Sequence, residues 1–424
     1  MPASPYPFFQ SLSREIAQMQ FDYRNLVPLE PDGIKVAVKG LRQHYVPVLT
    51  DGAFANQLAI VRGHGKEGLM TVVLDFNPRA LAFYSRYAVP VLSPDYKREP
   101  RKFWSFVFDT GKIIRSCGKT PVLIVGDAEW LLDSMIEFGL DKLSEVFALN
   151  QDYLLQQRLM DKLVQYQLAR EAGVDMPETH QGEDAFDIDE SGLSFPLLVK
   201  EQRGKKLFAR KGIQAVEVFS RQELETVLKG EKDIPLIVQQ KVSDEGGEKM
   251  FSIGAFRDRQ TGHSIVFSSR RIRATRTFGS TALSVSEPCP EGVAATKKYL
   301  DYMDYHGSCE LEFIYDSRQE KLLLLELNPR LYKTQSLATH CGINFNHFAL
   351  LVAMGKDLSA QPQQIFGPRW WLAWGDIADG IRKMQTGKLT FQEFMEPLSF
   401  DFVNGVDELD DPLPGFVNLF NAKF

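Results

Sequence analysis

The sequence predicts a mixed α/β protein, with a parallel sheet wrapped by helices in its first third and a larger α+β region behind it. Three observations lead there. Short β-branched runs at 46–50 (VPVLT), 69–76 (LMTVVLDF), 89–92 and 120–126 (TPVLIVG) alternate with helix-like stretches, the order that builds a parallel sheet. Between 195 and 242 a strand–strand–helix–strand pattern forms a small module that can move as a unit. From 250 to 330 the runs pair off as hairpins, including SCELEFIYD at 308–316 and KLLLLELNPR at 321–330.

Taken in order, residues 1–40 carry no clear period and read as an arm. Asp51-Gly52 ends the first strand, 53–62 is helical, and a second helix is expected near 79–87. No GxGxxG follows the first strand, so a dinucleotide-dependent dehydrogenase is a distant reading. From 152 to 172, Leu155, Leu159, Leu163 and Tyr166 recur at helical spacing. This predicts one helix carrying Lys162 inside it, with Gly173 as its C-cap glycine and Pro177 preventing continuation. The acidic stretch 182–192 is a loop. Strands follow at 195–200 and 211–218, then a helix at 220–230 capped by Ser220 with Glu223 as the capping-box acid, then a strand at 235–242. Two strands joined by a turn at 258–262 occupy 250–267, and 361–424 reads as a closing extension.

Composition narrows the function. The 424 residues are long enough for two or three domains, and 44% apolar with 25% charged is ordinary for a globular protein. A net charge of −6 argues against a broad nucleic-acid surface, which needs clustered Lys and Arg. Cys117, Cys289, Cys309 and Cys341 form no CxxC pair and read as free thiols in a reducing compartment. The first residues carry no basic start before an apolar run, and the strongest apolar run, 322–325, is too short to span a bilayer. The expectation is a cytoplasmic protein without stable membrane insertion.

The chemistry gathers at the last hairpin. Residues two apart in a strand share a face, so Glu326 and Asn328 point one way and Leu325 and Leu327 the other. Arg330 lies just beyond Pro329. Glu310 and Glu312 also share a face, and an even register would bring all four polar side chains together, as oxygen ligands for a hard cation such as Mg²⁺. Lys200, at the end of an apolar strand, offers a fixed positive charge for phosphate, and Lys162 offers a second. In an otherwise acidic chain, Arg270, Arg271, Arg273 and Arg276 cluster within seven residues, which suggests an anionic substrate. For each feature the bland alternative is a solvated charge. No His or Ser pairing suggests covalent catalysis, and His340 and His347 read as structural.

Together these motifs resemble the ATP-grasp superfamily. The matching residues are Asp161-Lys162 with AGV and Pro177 downstream, FPLLVK, VQQKV, and CELEF followed by ELNPR. Their order and spacing, over roughly 45–415, look most like the D-aspartate ligase-like, carboxylate–amine ligase branch. VLTDG, RRIRATRTFGST, ELNPRLYKTQSLATHCGIN and DDPLP are similar to segments of that branch. The resemblance implies a Rossmann-like pre-ATP-grasp domain at 41–150 and an ATP-grasp domain at 151–360, whose lid spans about 195–245. Extensions at 1–40 and 361–424 flank them. It also implies ATP held by Lys162 and Lys200, with adenine read by the backbone of Gln239, Gln240, Lys241 and Val242. Mg²⁺ (or Mn²⁺) would sit on Glu312, Glu326 and Asn328, Arg330 would steady the reacting groups, and Arg271 and Arg273 would face the substrate. Two features depart from that pattern. Gln239 stands where an acid is common, and QRGKKLFARKG at 202–212 is basic where a glycine-rich lid is usual.

The implied activity is an ATP-dependent ligase joining a small carboxylate, an amino acid among the options, to an amine through an acyl phosphate. The oligomeric state stays open, with a homodimer among the options. The competing readings are an ATP-dependent carboxylase or carbamoyl-phosphate-type enzyme, and a non-catalytic nucleotide-binding protein of the same fold.

Overall fold

The structure is a computed structural model that describes residues 31–126, 128–182, 192–204, 206–242, 249–275, 279–356 and 362–421. Residues 1–30 of the arm expected at 1–40, 183–191 of the acidic loop expected at 182–192, Lys205 and Arg276 lie outside the described residues.

The first sheet contains five parallel strands: β1 (Tyr45–Thr50), β2 (Thr71–Asp75), β3 (Ala88–Leu92), β4 (Thr120–Val125) and β5 (Ala148–Leu149), in the order β3-β2-β1-β4-β5. Its strands are apolar on both faces, as a doubly covered parallel sheet requires. Val46, Val48, Val72, Leu74, Leu123 and Val125 pack into one core, and Leu49, Val73 and Ile124 into another. The helix Pro31–Gly40, expected within a featureless arm, places Ile34 and Val38 in the first of these cores. The helix expected near 79–87 shrinks to the 3₁₀ turn Leu81–Tyr84, because Pro78 and the strand beginning at Ala88 leave room for little more.

The module forms a four-stranded antiparallel sheet from β6 (Thr179–Gln181), β7 (Leu197–Glu201), β8 (Ala215–Val218) and β9 (Leu236–Gln240), in the order β6-β9-β7-β8. Its own core includes Leu197, Val199, Leu207, Val218, Leu224, Leu236 and Val238. The strand expected over 211–218 divides: Lys206–Lys211 is helical, and Gly212, at φ +69°, turns the chain into β8. In the helix Arg221–Gly230 the Ser220 hydroxyl accepts from the Glu223 N–H, and the Glu223 carboxylate reaches back to the Phe219 N–H rather than to that of Ser220.

The third sheet holds seven strands: β10 (Met250–Arg257), β11 (Ser264–Ala274), β12 (Thr281–Ser286), β13 (Gly307–Asp316), β14 (Lys321–Asn328), β15 (Arg369–Trp371) and β16 (Phe402–Asn404), in the order β14-β13-β10-β11-β12-β15-β16. The last two strands come from the segment expected to be a closing extension, and Trp370 is fully buried there. Phe256, Ile265 and Phe267 from this sheet share one core with Leu49, Val73 and Ile124 of the first. The helices Gln335–His340 and Phe345–Ala353 contribute to the same core, so the first sheet and the seven-stranded sheet are packed together through it.

Candidate active site

The register of the last hairpin is the one the sequence argument needed: Glu310 faces Asn328 and Glu312 faces Glu326 across β13 and β14. A bulge follows at once, because Phe313 pairs with Leu324 and leaves Leu325 unmatched. This corrects the simple alternation. Leu324 and Leu327 enter the core beneath the sheet, whereas Leu325 lies against Val242, Met250, Ile314 and Leu323 on the other side.

Neighbouring strands extend the same face. Ser252 lies opposite Glu312 and Gly254 opposite Glu310, and Ser252 pairs in turn with Ser269 on β11. Burial, followed by the nearby Glu312 charge, pushes the Glu310 carboxyl up. Burial and Glu326 do the same to Glu312. Burial also acts on Glu326, but Lys162 and Lys200 outweigh it and hold that carboxyl down.

A helix break places Lys162. The single helix expected over 152–172 is in fact two, Tyr153–Arg158 and Lys162–Glu171. Asp161 is the N-cap of the second, its carboxylate accepting from the Leu163 N–H at 2.9 Å, so Lys162 stands in the first turn rather than mid-helix. Side chains of this helix fasten it to the edge of β14. Gln165 donates to the Leu327 carbonyl at 2.9 Å and accepts from the Leu327 N–H at 2.8 Å, and the Tyr166 hydroxyl donates to the Leu325 carbonyl at 2.7 Å. That clamp sets Lys162 Nζ 3.2 Å from Glu326 Oε1. The sequence reading counted Tyr166 only as part of an apolar stripe and missed Gln165. A glutamine on the buried side of an amphipathic helix was the available signal.

Lys200 reaches the same cluster from β7. Its Nζ donates to Gln239 Oε1 at 2.6 Å, and Gln239 Nε2 donates to the Tyr166 hydroxyl and to Thr179. Burial pushes the Lys200 ammonium down to about 8, against the pull of Glu326 and with the repulsion of Lys162. The side chains of Gln240 and Lys241 are tied within the module, to Ser194 and to Glu217, and Val242 packs beside β14. These four residues join the module to the seven-stranded sheet.

The arginines separate. Arg330 donates to Asn328 Oδ1 at 3.2 Å, and Arg271 acts electrostatically on Glu312 and lies against Met250. A bulge between Arg271 and Arg273 turns Arg273 elsewhere. Expected to face the substrate, its guanidinium pairs with Asp376, donates to the Phe394 carbonyl and stacks over the Phe394 ring. Arg270 pairs with Glu287 at 2.9 Å. Lys162, Glu326, Asn328 and Arg330 line one cleft together with Asp133 from the first domain and Arg203 and Gly204 from the module.

The donor set fits a hard cation. Among the described residues, no three His, Cys, Asp or Glu groups make a metal cage by themselves. Two carboxylates and an amide match a Mg²⁺ that completes its shell with phosphate oxygens and water. The Asn328 amide turns its nitrogen toward Glu310 and Glu312 and its oxygen toward Arg330, and a cation on the carboxylates calls for the opposite orientation.

Comparison with known proteins bears on the fold. Residues 292–361 match the family described as the carbamoyl-phosphate synthase L chain, ATP binding domain. No curated protein sequence matches the chain. Among solved structures, the N5-carboxyaminoimidazole synthetase of Staphylococcus aureus complexed with ADP superposes with a TM-score of 0.58 at 17% identity, covering 77% of this chain and 80% of that one. The chain has the fold of the ATP-grasp superfamily. The biotin carboxylase domain of the Hydrogenobacter thermophilus 2-oxoglutarate carboxylase, solved with MgADP and bicarbonate, gives 0.59 at 15% identity over 77% and 73% of the two chains. The N5-carboxyaminoimidazole synthase of Aspergillus clavatus gives 0.55 at 13% over 75% and 79%. Among the described residues no helix is long and apolar enough to cross a membrane.

Proposed function

We propose that this chain is an ATP-dependent carboxylate–amine ligase working in the cleft between module and large sheet. One observation carries the reading. Glu312 and Glu326 face each other across two strands, with Lys162 at 3.2 Å from Glu326 and with Lys200 close enough to both carboxylates to help hold Glu326 ionised. Glu312, Glu326 and Asn328 would hold Mg²⁺, or Mn²⁺ in its place, which when bound neutralises phosphate charge. Lys162 and Lys200 would hold the phosphates, and the backbone of Gln239, Gln240, Lys241 and Val242 would line the adenine. Phosphoryl transfer asks the protein for positioning and charge neutralisation rather than a nucleophile.

In the reaction a substrate carboxylate oxygen attacks the terminal phosphorus and ADP leaves. An amine then attacks the acyl carbon, phosphate departs and the amine loses a proton, leaving an amide. Arg330, with Arg271 behind it, stabilises charge on the transferring group and on the tetrahedral intermediate. Closure of the lid keeps water from the acyl phosphate. Cytoplasmic location and a homodimeric assembly belong to this reading.

The test is release of ADP and phosphate across a panel of amino acids and amine acceptors. Arg330→Ala abolishes turnover while nucleotide still binds, and full activity in that variant removes Arg330 from the mechanism. A second reading is favoured by the solved structures, two of which are named as carboxyaminoimidazole synthetases or synthases and one as a biotin carboxylase. Bicarbonate would then be the carboxylate that is phosphorylated. Incorporation of labelled bicarbonate into an amine acceptor decides between the two.

A further inference from the structure

Arg203 and Gly204, in the loop after β7, line the cleft, and this loop is fastened on both sides. Gln202 Nε2 donates to the N-cap carboxylate of Asp161 at 2.8 Å, and the Gln202 carbonyl accepts from the Lys162 N–H. Gln202 therefore anchors the lid loop to the residue next to the phosphate-side lysine. Arg203 follows and makes a different kind of contact. Its Nη2 lies 2.6 Å from Asp133 Oδ1, on the helix Ala128–Phe138 of the first domain, and that same oxygen accepts from Gln157. Both partners are accessible, Arg203 at 45% and Asp133 at 55%, and both line the cleft with Lys162, Glu326 and Arg330.

An ion pair that exposed contributes little, because water screens both charges. A polyphosphate entering the cleft offers the same guanidinium more charge and several acceptor oxygens in bidentate geometry. Gly204 follows at φ +98°, a conformation that suits glycine and turns the chain just after Arg203.

We propose that Arg203 is a phosphate ligand of the lid held in reserve by Asp133, and that nucleotide binding transfers its guanidinium from the carboxylate to the outermost phosphate. The basic lid loop thereby uses one side chain where a glycine-rich loop would use backbone amides. The first domain takes part as the holder of the open position. This rests on the nucleotide site proposed above but not on the ligase chemistry, so it is tested by binding alone.

The experiment titrates the full-length chain with Mg·ATP and Mg·ADP by calorimetry. Arg203→Ala weakens Mg·ATP by about tenfold, the size of one charge-assisted contact, and Mg·ADP by clearly less. Arg203→Lys restores part of the loss. Asp133→Asn, which removes the competing carboxylate, tightens Mg·ATP a few-fold. Thermal melts of the three variants check that each is folded. An Arg203→Ala affinity within twofold of the parent overturns the proposal, and so does an Asp133→Asn variant that weakens ATP as Arg203→Ala does, since the pair would then be a structural tie. A parent chain that binds neither nucleotide overturns the site itself, a separate outcome.

Discussion

The tail of the chain is bound to the first domain by a buried ion pair whose removal has a calculable cost. Asp411 is 2% exposed and Arg62 3%. The Asp411 carboxylate accepts from Arg62 Nε at 2.9 Å, from the Ser85 hydroxyl at 2.8 Å and from the Arg86 N–H at 2.9 Å, while its carbonyl accepts from Arg62 Nη2 at 2.8 Å. Asp411→Ala strips a buried guanidinium of its closest partner and orphans a hydroxyl and a backbone N–H. Breaking a buried pair from one side costs about 3–5 kcal/mol. Glu408, 3.5 Å from the other guanidinium nitrogen, keeps the expected loss near the lower end, about 3 kcal/mol. Arg62→Met alone leaves a buried carboxylate with two neutral donors and costs a similar amount. The double variant removes both charges, so its loss falls well short of the sum, by about 2 kcal/mol. Equilibrium unfolding in urea of the four proteins gives that coupling directly. A loss below about 1 kcal/mol for Asp411→Ala, or losses that add within about 0.5 kcal/mol, would refute the claim that this pair is a desolvated unit.

His64 is fully buried, with Nδ1 2.8 Å from the Thr71 hydroxyl, and burial, with the nearby His347, holds its imidazole down at about 3. The unfolded chain takes up that proton near 6.5, so stability is complete above pH 6.5 and falls as pH drops toward 3, by about 2 kcal/mol at pH 5; urea midpoints that stay flat from pH 7 to pH 5 contradict this. Gly254→Ala would set a methyl against the Tyr332 hydroxyl and ring inside the core, and the displaced ring predicts a loss of about 1–3 kcal/mol, read from thermal unfolding. A change under about 0.5 kcal/mol means the ring has room. Glu326→Gln removes the carboxylate that faces both Glu312 and Lys162, and Mg²⁺-dependent ATP affinity should fall at least about tenfold while metal-free binding changes little.

Much of the site was legible in the chain itself because its pieces are local. Period-two alternation aligned Glu310 with Glu312 and Glu326 with Asn328, and a hairpin short enough to pair in one register brought them face to face. The lysines and the arginine of the cleft followed from motif order. The pairing of Arg273 with Asp376 was not legible because an extra residue between it and Arg271 reverses the direction of the side chain, and bulges leave no mark in composition. Arg203 and Asp133 stayed hidden because each is an ordinary surface charge until the other domain is placed beside it.

By itself, then, the sequence determined the short-range facts: alternating elements in the first third, a self-contained module, two strands each carrying its acidic or amide pair on one face, caps at Ser220 and Gly173. Their causes act within a few residues, through side-chain period and capping chemistry. Tertiary structure alone decided the rest. It broke the helix at Asp161 and turned Lys162 toward Glu326, through the clamp of Gln165 on Leu327. It drew 31–40 and the final strands into the body, and it set Arg62 against Asp411, 349 positions away. Those contacts depend on which apolar faces bury each other, and burial is a property of the assembled chain rather than of any segment in it.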